Sequence, residues 1–231
     1  MADQEKSFQI YQFHVLLRGI NPPVWRRLLM RSDSNIVDLH YILQIAFHWS
    51  DFHLHRFLIH GTEYGIGRAG CTGFSTDPRR TLLADFHFRD RERFLYEYDF
   101  GDLWQHQVRF ETVRPVETGK KYPVCIGGSR AAPPEDCGGP EAYMGLMERH
   151  LLNWPYEEAR LVAETLGRFL NLKEEDPIRS CISDMDELKE TVAKIEEYFS
   201  FRPEHFDRRE VNRRLKQYAA GDEEWLWEYW E

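Results

Sequence analysis

Residues 93–113 constrain this chain most. Arg93–Tyr98 and Trp104–Val113 are two runs rich in aromatic and β-branched residues, joined across Asp99-Phe100-Gly101-Asp102. Two strand-like runs flanking a short acidic turn with glycine predict an antiparallel hairpin. In the second run Trp104, His106, Val108 and Phe110 fall on one face, and Gln105, Gln107, Arg109 and Glu111 on the other. Side chains alternate along a strand, so the first set is expected to face a core. A hairpin with one apolar face needs a second layer to cover it.

The flanking sequence supplies both further strands and that layer. Phe8 to Arg18 alternates in its first half like a half-buried strand, Gly19-Ile20-Asn21-Pro22-Pro23 makes a stiff turn, and Val24 to Met30 resumes as a strand with Trp25 and Arg26 on opposite faces. Asn35 is placed to cap a helix, with Asp38 three residues on, and Leu39, Ile42, Leu43, Ala46 and Phe47 follow at helical spacing. His53 to Tyr64 reads as a third strand, Gly65 to Gly73 as a loop, and Thr81 to Asp85 as a short helix. Residues 114–139 are turn-rich, and Pro140 opens a helix over Ala142 to His150. Helices are expected over Tyr156–Leu170, Asp184–Phe199 and Asp207–Tyr218. Asp207 with Glu210 has capping-box spacing, and Phe206 with Val211 has staple spacing. The fold class is therefore α+β, with a mixed, largely antiparallel sheet and a helical C-terminal region. The expected division is a main domain over 1–153 and a helical extension over 154–231 that packs on it and ends in an acidic, aromatic tail, 222–231.

Composition excludes several classes. With 42% hydrophobic and 14% aromatic residues in 231, the chain has the apolar content of a globular protein. No window approaches the ~20 uncharged apolar residues that cross a bilayer, and the N-terminus lacks an export signal. A cytoplasmic location is expected. Cys71, Cys125, Cys137 and Cys181 stand far apart with no CxxC pair, so reduced structural thiols are expected. A formal net charge of −9 disfavours bulk nucleic-acid binding, and most of the acidic excess lies after residue 171.

Five ordered segments resemble one family. They are Gly19-Ile20-Asn21-Pro22-Pro23-Val24-Trp25-Arg26-Arg27, Asp38-Leu39-His40, Trp49-Ser50-Asp51-Phe52-His53-Leu54-His55-Arg56-Phe57, Tyr98-Asp99-Phe100-Gly101-Asp102-Leu103-Trp104-Gln105-His106 and Pro133-Pro134-Glu135-Asp136-Cys137-Gly138-Gly139. This set resembles the plasmid pRiA4b ORF-3-like family, also labelled insertion-sequence passenger proteins of TnpR type. The resemblance resumes at Phe206-Asp207-Arg208-Arg209-Glu210-Val211-Asn212. It implies an α/β roll and an association with mobile elements, and it implies no particular reaction.

Several residues are candidates for chemistry. Asp99, Asp102 and His106 are the catalytic candidates, since an inward-facing imidazole near carboxylates can act as an oriented base or a metal ligand. The structural alternative is a core histidine whose ring N–H bonds a turn aspartate. His40, His53 and His55 are the metal candidates: His53 and His55 share a strand face, and Asp51 or a hairpin aspartate can add an oxygen. The alternative is aromatic packing at a sheet edge. No motif demands a cofactor, and zinc or another divalent metal is the group these residues could hold. Arg209, Arg213 and Lys216 lie at i, i+4, i+7 and are the nucleic-acid candidates, within a wider basic set that includes Arg26 and Arg27. Glu135 and Asp136 either hold a cation or complement the helix end beyond them. Trp225, Trp227 and Trp230 are candidate partner-binding anchors.

The sequence holds no P-loop, GxSxG, HExxH or Rossmann glycine pattern. The expected function is thus a non-catalytic intracellular interaction module associated with mobile elements and bound to a protein partner. The alternatives are a metal-binding protein or metal-assisted hydrolase using the His/Asp cluster, and local nucleic-acid binding through the Arg/Lys face.

Overall fold

The computed structural model describes residues 8–67, 74, 76–171 and 185–222. The strands are β1 (Ile10–Leu17), β2 (Trp25–Arg31), β3 (His55–Ile59), β4 (Thr62–Tyr64), β5 (Arg93–Tyr98), β6 (Trp104–Arg114) and β7 (Val124–Ser129). The helices are α1 (Ile36–Phe47), α2 (Gly139–Leu152), α3 (Tyr156–Leu170), α4 (Met185–Ser200) and α5 (Arg208–Ala219), with a 3-10 turn at Leu83–Phe86. The strands form one sheet in the order β4-β3-β5-β6-β1-β2-β7. The α+β class is as expected. The sheet, expected to be largely antiparallel, is antiparallel at every described pairing.

The central hairpin follows its alternation. Trp104, His106, Val108 and Phe110 are buried and the intervening residues are not. Register places Tyr96 opposite His106 and Tyr98 opposite Trp104, so the acidic turn closes one step beyond Tyr98. Helix α1 covers this face. Its Asn35 side chain accepts from the Asp38 N–H and the Asp38 carboxylate accepts from the Asn35 N–H, a complete capping box. Leu39, Ile42, Leu43 and Phe47 are fully withdrawn from water, each contributing about 1.5–3 kcal/mol of burial.

Arg26 was expected on a basic surface and instead lies in the core. It is 0% exposed because it shares the inward face of β2 with Leu28 and Met30. Its Nε donates to the Ala46 carbonyl and its Nη1 to those of Trp25 and Ser129. Its guanidinium sits between the Phe47 and Phe206 rings, and burial pushes its pKa down to about 10.

Strand β7 lies in a stretch read as turns. Its Gly128 leaves room for Phe206, whose ring would be 2.3 Å from a Cβ there. The Asn212 side chain of α5 pairs with both backbone groups of Cys125 in β7, and the Tyr218 hydroxyl donates to Asp38 at the start of α1. The chain accordingly divides into one compact unit of Met1–Met144 with Glu204–Glu231 and a second of Gly145–Pro203. The last helix, α5, thus belongs to the same compact unit as the sheet.

The second unit holds most of α2 with α3 and α4. No residue of α3 is buried, and Leu166, Phe169 and Leu170 are exposed, as are Met185, Val192 and Phe199 of α4. Among the described residues no helix is long and apolar enough to cross a membrane.

Candidate metal centre

Four of the five sequence motifs meet at one end of the sheet. Helix α1 ends at His48 in the left-handed region, which turns the chain back over the helix. Trp49 is fully buried, stacks on Tyr98 with centroids 5.0 Å apart, and donates its indole N–H to the Pro133 carbonyl at 3.0 Å. Glu135 then ties the segments together: it accepts from the Tyr98 hydroxyl at 2.5 Å and from the N–H and hydroxyl of Ser50. Gly138 N donates to the Asp102 carboxylate. Gly139, at φ 81, approaches the Asp102 carbonyl so closely that a Cβ would lie 2.5 Å from it.

An inner group forms beneath this clasp. His40 and Gln44 lie one turn apart on the buried face of α1. The Asp51 N–H donates to Gln44 Oε1, and Asp51 Oδ1 lies 2.9 Å from His40 Nε2. Gln44 Nε2 donates to the Tyr96 hydroxyl, which lies 2.9 Å from His40 Nδ1. Since the Asp51 carboxylate can only accept, His40 Nε2 donates to it, which leaves Nδ1 to accept from the Tyr96 hydroxyl. His55 stacks on His40 with centroids 3.5 Å apart and planes within 10°. Both imidazoles are buried. One donor atom from each of His40, Asp51 and His55 lies within 4.8 Å of the other two.

An outer group forms beside it. His53 Nδ1 is 3.7 Å from Asp99 Oδ1, and its Nε2 is 3.1 Å from Asp136 Oδ1. One donor atom from each of these three residues also falls within 4.8 Å of the others. Asp51, Asp99 and Asp136, the aspartates of both groups, all sit at positive φ, a region that aspartate tolerates better than most residues.

The structure thus divides the expected His40, His53 and His55 set between two groups. It also separates the expected Asp99, Asp102 and His106. His106 faces mid-sheet, edge-on to Phe47 and Trp49, because it pairs with Tyr96 while the aspartates lie beyond Tyr98. The expected bond from its ring to a turn aspartate is absent, and neither ring nitrogen makes a hydrogen bond of good geometry. Burial pushes its pKa down to about 3, opposed in part by the backbone of Tyr96 and Trp104. Asp102 serves the loop, and Asp99 belongs to the outer group. The side-chain partners of Glu135 are Ser50 and Tyr98, and that of Asp136 is His53. That role had a sequence signal, since two acids beside tandem prolines stood within one of the five motifs.

The remaining candidates are placed as follows. Arg213 of α5 pairs with Glu210 on its own helix, so the face it shares with Arg209 and Lys216 is partly neutralised. Among the described cysteines Cys125 and Cys137 are both free thiols. Burial raises both, Cys137 to about 11, which keeps them protonated and unreactive. Trp225, Trp227 and Trp230, with Cys71 and Cys181, lie outside the described residues.

Comparison with known proteins finds a family and a fold that this chain is similar to. A family model described as plasmid pRiA4b ORF-3-like protein matches residues 9–176. The chain is 31% identical over 140 residues to uncharacterized protein y4hQ of Sinorhizobium fredii (strain NBRC 101917 / NGR234), covering 60% of this chain and 72% of that one. It is also similar to the crystal structure of a protein of unknown function, MM3350, from Methanosarcina mazei Go1. That match has a TM-score of 0.62 and 28% identity, covering 88% of this chain and 98% of the other.

Proposed function

We propose that this chain, which belongs to the plasmid pRiA4b ORF-3-like family, is a metal-binding protein whose ion is held by His40, Asp51 and His55. The supporting observation is the convergence, in a buried position, of two imidazoles and a carboxylate within 4.8 Å. Zinc holds nitrogen and oxygen ligands at about 2.0–2.2 Å, so its neighbouring ligands stand roughly 3.3–3.5 Å apart. The His40–Asp51 separation of 2.9 Å opens to that value by a small movement. The stacked rings must splay, since an ion between parallel planes 3.5 Å apart lies out of line with both lone pairs. Uptake also moves the His40 proton from Nε2 to Nδ1, where the Tyr96 oxygen accepts it. Burial favours an ion that pins the 49–55 segment onto α1 and β3, and no reaction is assigned to it.

The test is elemental analysis of untagged protein, followed by thermal unfolding with added Zn2+ or a chelator. At a hundredfold excess over Kd the ion stabilises by about 2.7 kcal/mol, which raises Tm by about 5–10 °C in a protein of this size. The conservative Asp51→Asn variant should lose that response, and 15N spectra should report the tautomer change at His40. Metal-free protein whose Tm ignores both zinc and chelator would end this reading.

A second reading, an interaction module, is favoured by the exposed apolar faces of α3 and α4. They are flanked by Glu157, Glu158, Glu164, Asp186, Glu187 and Glu190, so the complementary partner is a basic amphipathic segment of another protein. Changing Leu166 and Leu170 to Gln should abolish capture of a synthetic Lys/Leu amphipathic helix; undiminished capture counts against it. A cytoplasmic, mobile-element setting belongs to the same proposal, supported by the plasmid in the family's description.

A further inference from the structure

We infer that His53, Asp99 and Asp136 form a second cation site, open to solvent and independent of the inner group. Its donors differ from the inner set: one imidazole nitrogen and two carboxylate oxygens, against two nitrogens and one oxygen. Oxygen-rich sets suit harder ions, so Mn2+ is the fitting probe here and Zn2+ the fitting probe within.

The orientation of His53 points the same way. Its Nε2 is shielded from solvent and faces Asp136 Oδ1 at 3.1 Å, an ion pair that is not aligned as a hydrogen bond. An ion seated between nitrogen and carboxylate satisfies both. The competing arrangement is a protonated His53 bridging two aspartates, and it makes no demand for metal.

The scaffold holds the carboxylates in place. Asp99 Oδ1 accepts from Gly101 N at 2.9 Å and the Asp99 carbonyl from Leu103 N at 2.6 Å, which fixes the hairpin turn. Asp136 is carried between Glu135, locked onto Ser50 and Tyr98, and Gly138, locked onto Asp102. Access differs as well. The Asp136 side chain is 75% exposed and that of His53 28%, so three protein donors leave coordination positions to water. Such an ion exchanges freely and can accept an anionic oxygen ligand in place of water.

The experiment titrates the full chain with Mn2+, read by electron paramagnetic resonance and calorimetry, and in parallel with Zn2+. Four proteins are compared: the natural chain, His53→Ala, Asp136→Asn and Asp51→Asn. Asp136→Asn is nearly isosteric at an exposed position, so its folding is not at issue. Mn2+ affinity is expected to fall about 100-fold in His53→Ala and at least tenfold in Asp136→Asn. In Asp51→Asn it should stay within about twofold. Mn2+ binding untouched by His53→Ala and Asp136→Asn, but lost in Asp51→Asn, overturns this inference and leaves the inner ion standing. Loss in the first two variants, with zinc response intact in Asp51→Asn, supports it and sinks the inner reading. No uptake of either ion overturns both.

Discussion

Replacing Glu135 with alanine should unfasten the loop on which the whole centre depends. The carboxylate accepts from the Tyr98 hydroxyl at 2.5 Å and from the Ser50 N–H at 3.1 Å, and Tyr98 is fully buried. A buried donor left without an acceptor costs about 1–3 kcal/mol, so two such donors set the loss at about 3 kcal/mol. For a unit of this size that lowers Tm by about 6–12 °C. Urea unfolding followed by tryptophan fluorescence suits the measurement, because Trp49 stacks on Tyr98 and reports this corner directly. Tyr98→Phe removes the same hydrogen bond from the other side. The double variant should therefore cost less than the two single changes together, with a coupling of about 1–2 kcal/mol. A loss below about 1 kcal/mol with no coupling would refute the reasoning, for Asp136 would then have no fixed place beside His53.

Two further outcomes concern pH. Glu111 is held down to about 2; burial alone would raise it, and hydrogen bonds from Arg27, Gln12 and Arg109 outweigh that. Its folded pKa lies below its ordinary 4.5, so its stabilisation is complete above that value and is lost as pH falls toward about 2. Glu111→Gln should be less stable than the natural chain at pH 7 and show a shallower acid limb in urea midpoints, whereas an unchanged limb counts against the cluster. His106, held down to about 3 by burial, refuses a proton that the unfolded chain accepts from about pH 6.5 downward. Stability is lost across that window, and His106→Leu should remove this slope while changing stability at pH 7 by less than about 1 kcal/mol; a loss above 2 kcal/mol would mean the ring has a strong polar partner.

Much of the fold was legible because the apolar pattern and the caps agreed. The alternation of Trp104 to Phe110 and the Asn35–Asp38 box each specified an element that packing then kept. Strand β7 was not legible, since Gly127 and Gly128 weaken any strand signal, and the value of Gly128 appears only when Phe206 arrives from a distant part of the chain. Arg26 misled for a related reason: a charge within an alternating run reads as surface, and only three carbonyls and two rings make its burial tolerable. At the site, His40, His53, His55 and Asp99 stood out by type and spacing. Their division into two groups did not, because it depends on the left-handed turns at Asp51, Asp99 and Asp136 and on the register that sets His55 opposite Tyr98.

That register also argues for two separate ions over one dinuclear pair. His53 and His55 are two apart, and Tyr98, lying across from His55, reaches its hydroxyl to within 3.4 Å of the His53 N–H. The hydroxyl and its Glu135 partner therefore separate the two groups and also connect them. The Ser50–Glu135–Tyr98 chain is one path between the two groups that a single substitution can cut. Tyr98→Phe, which keeps every proposed ligand, is thus the change that can uncouple the groups without emptying either.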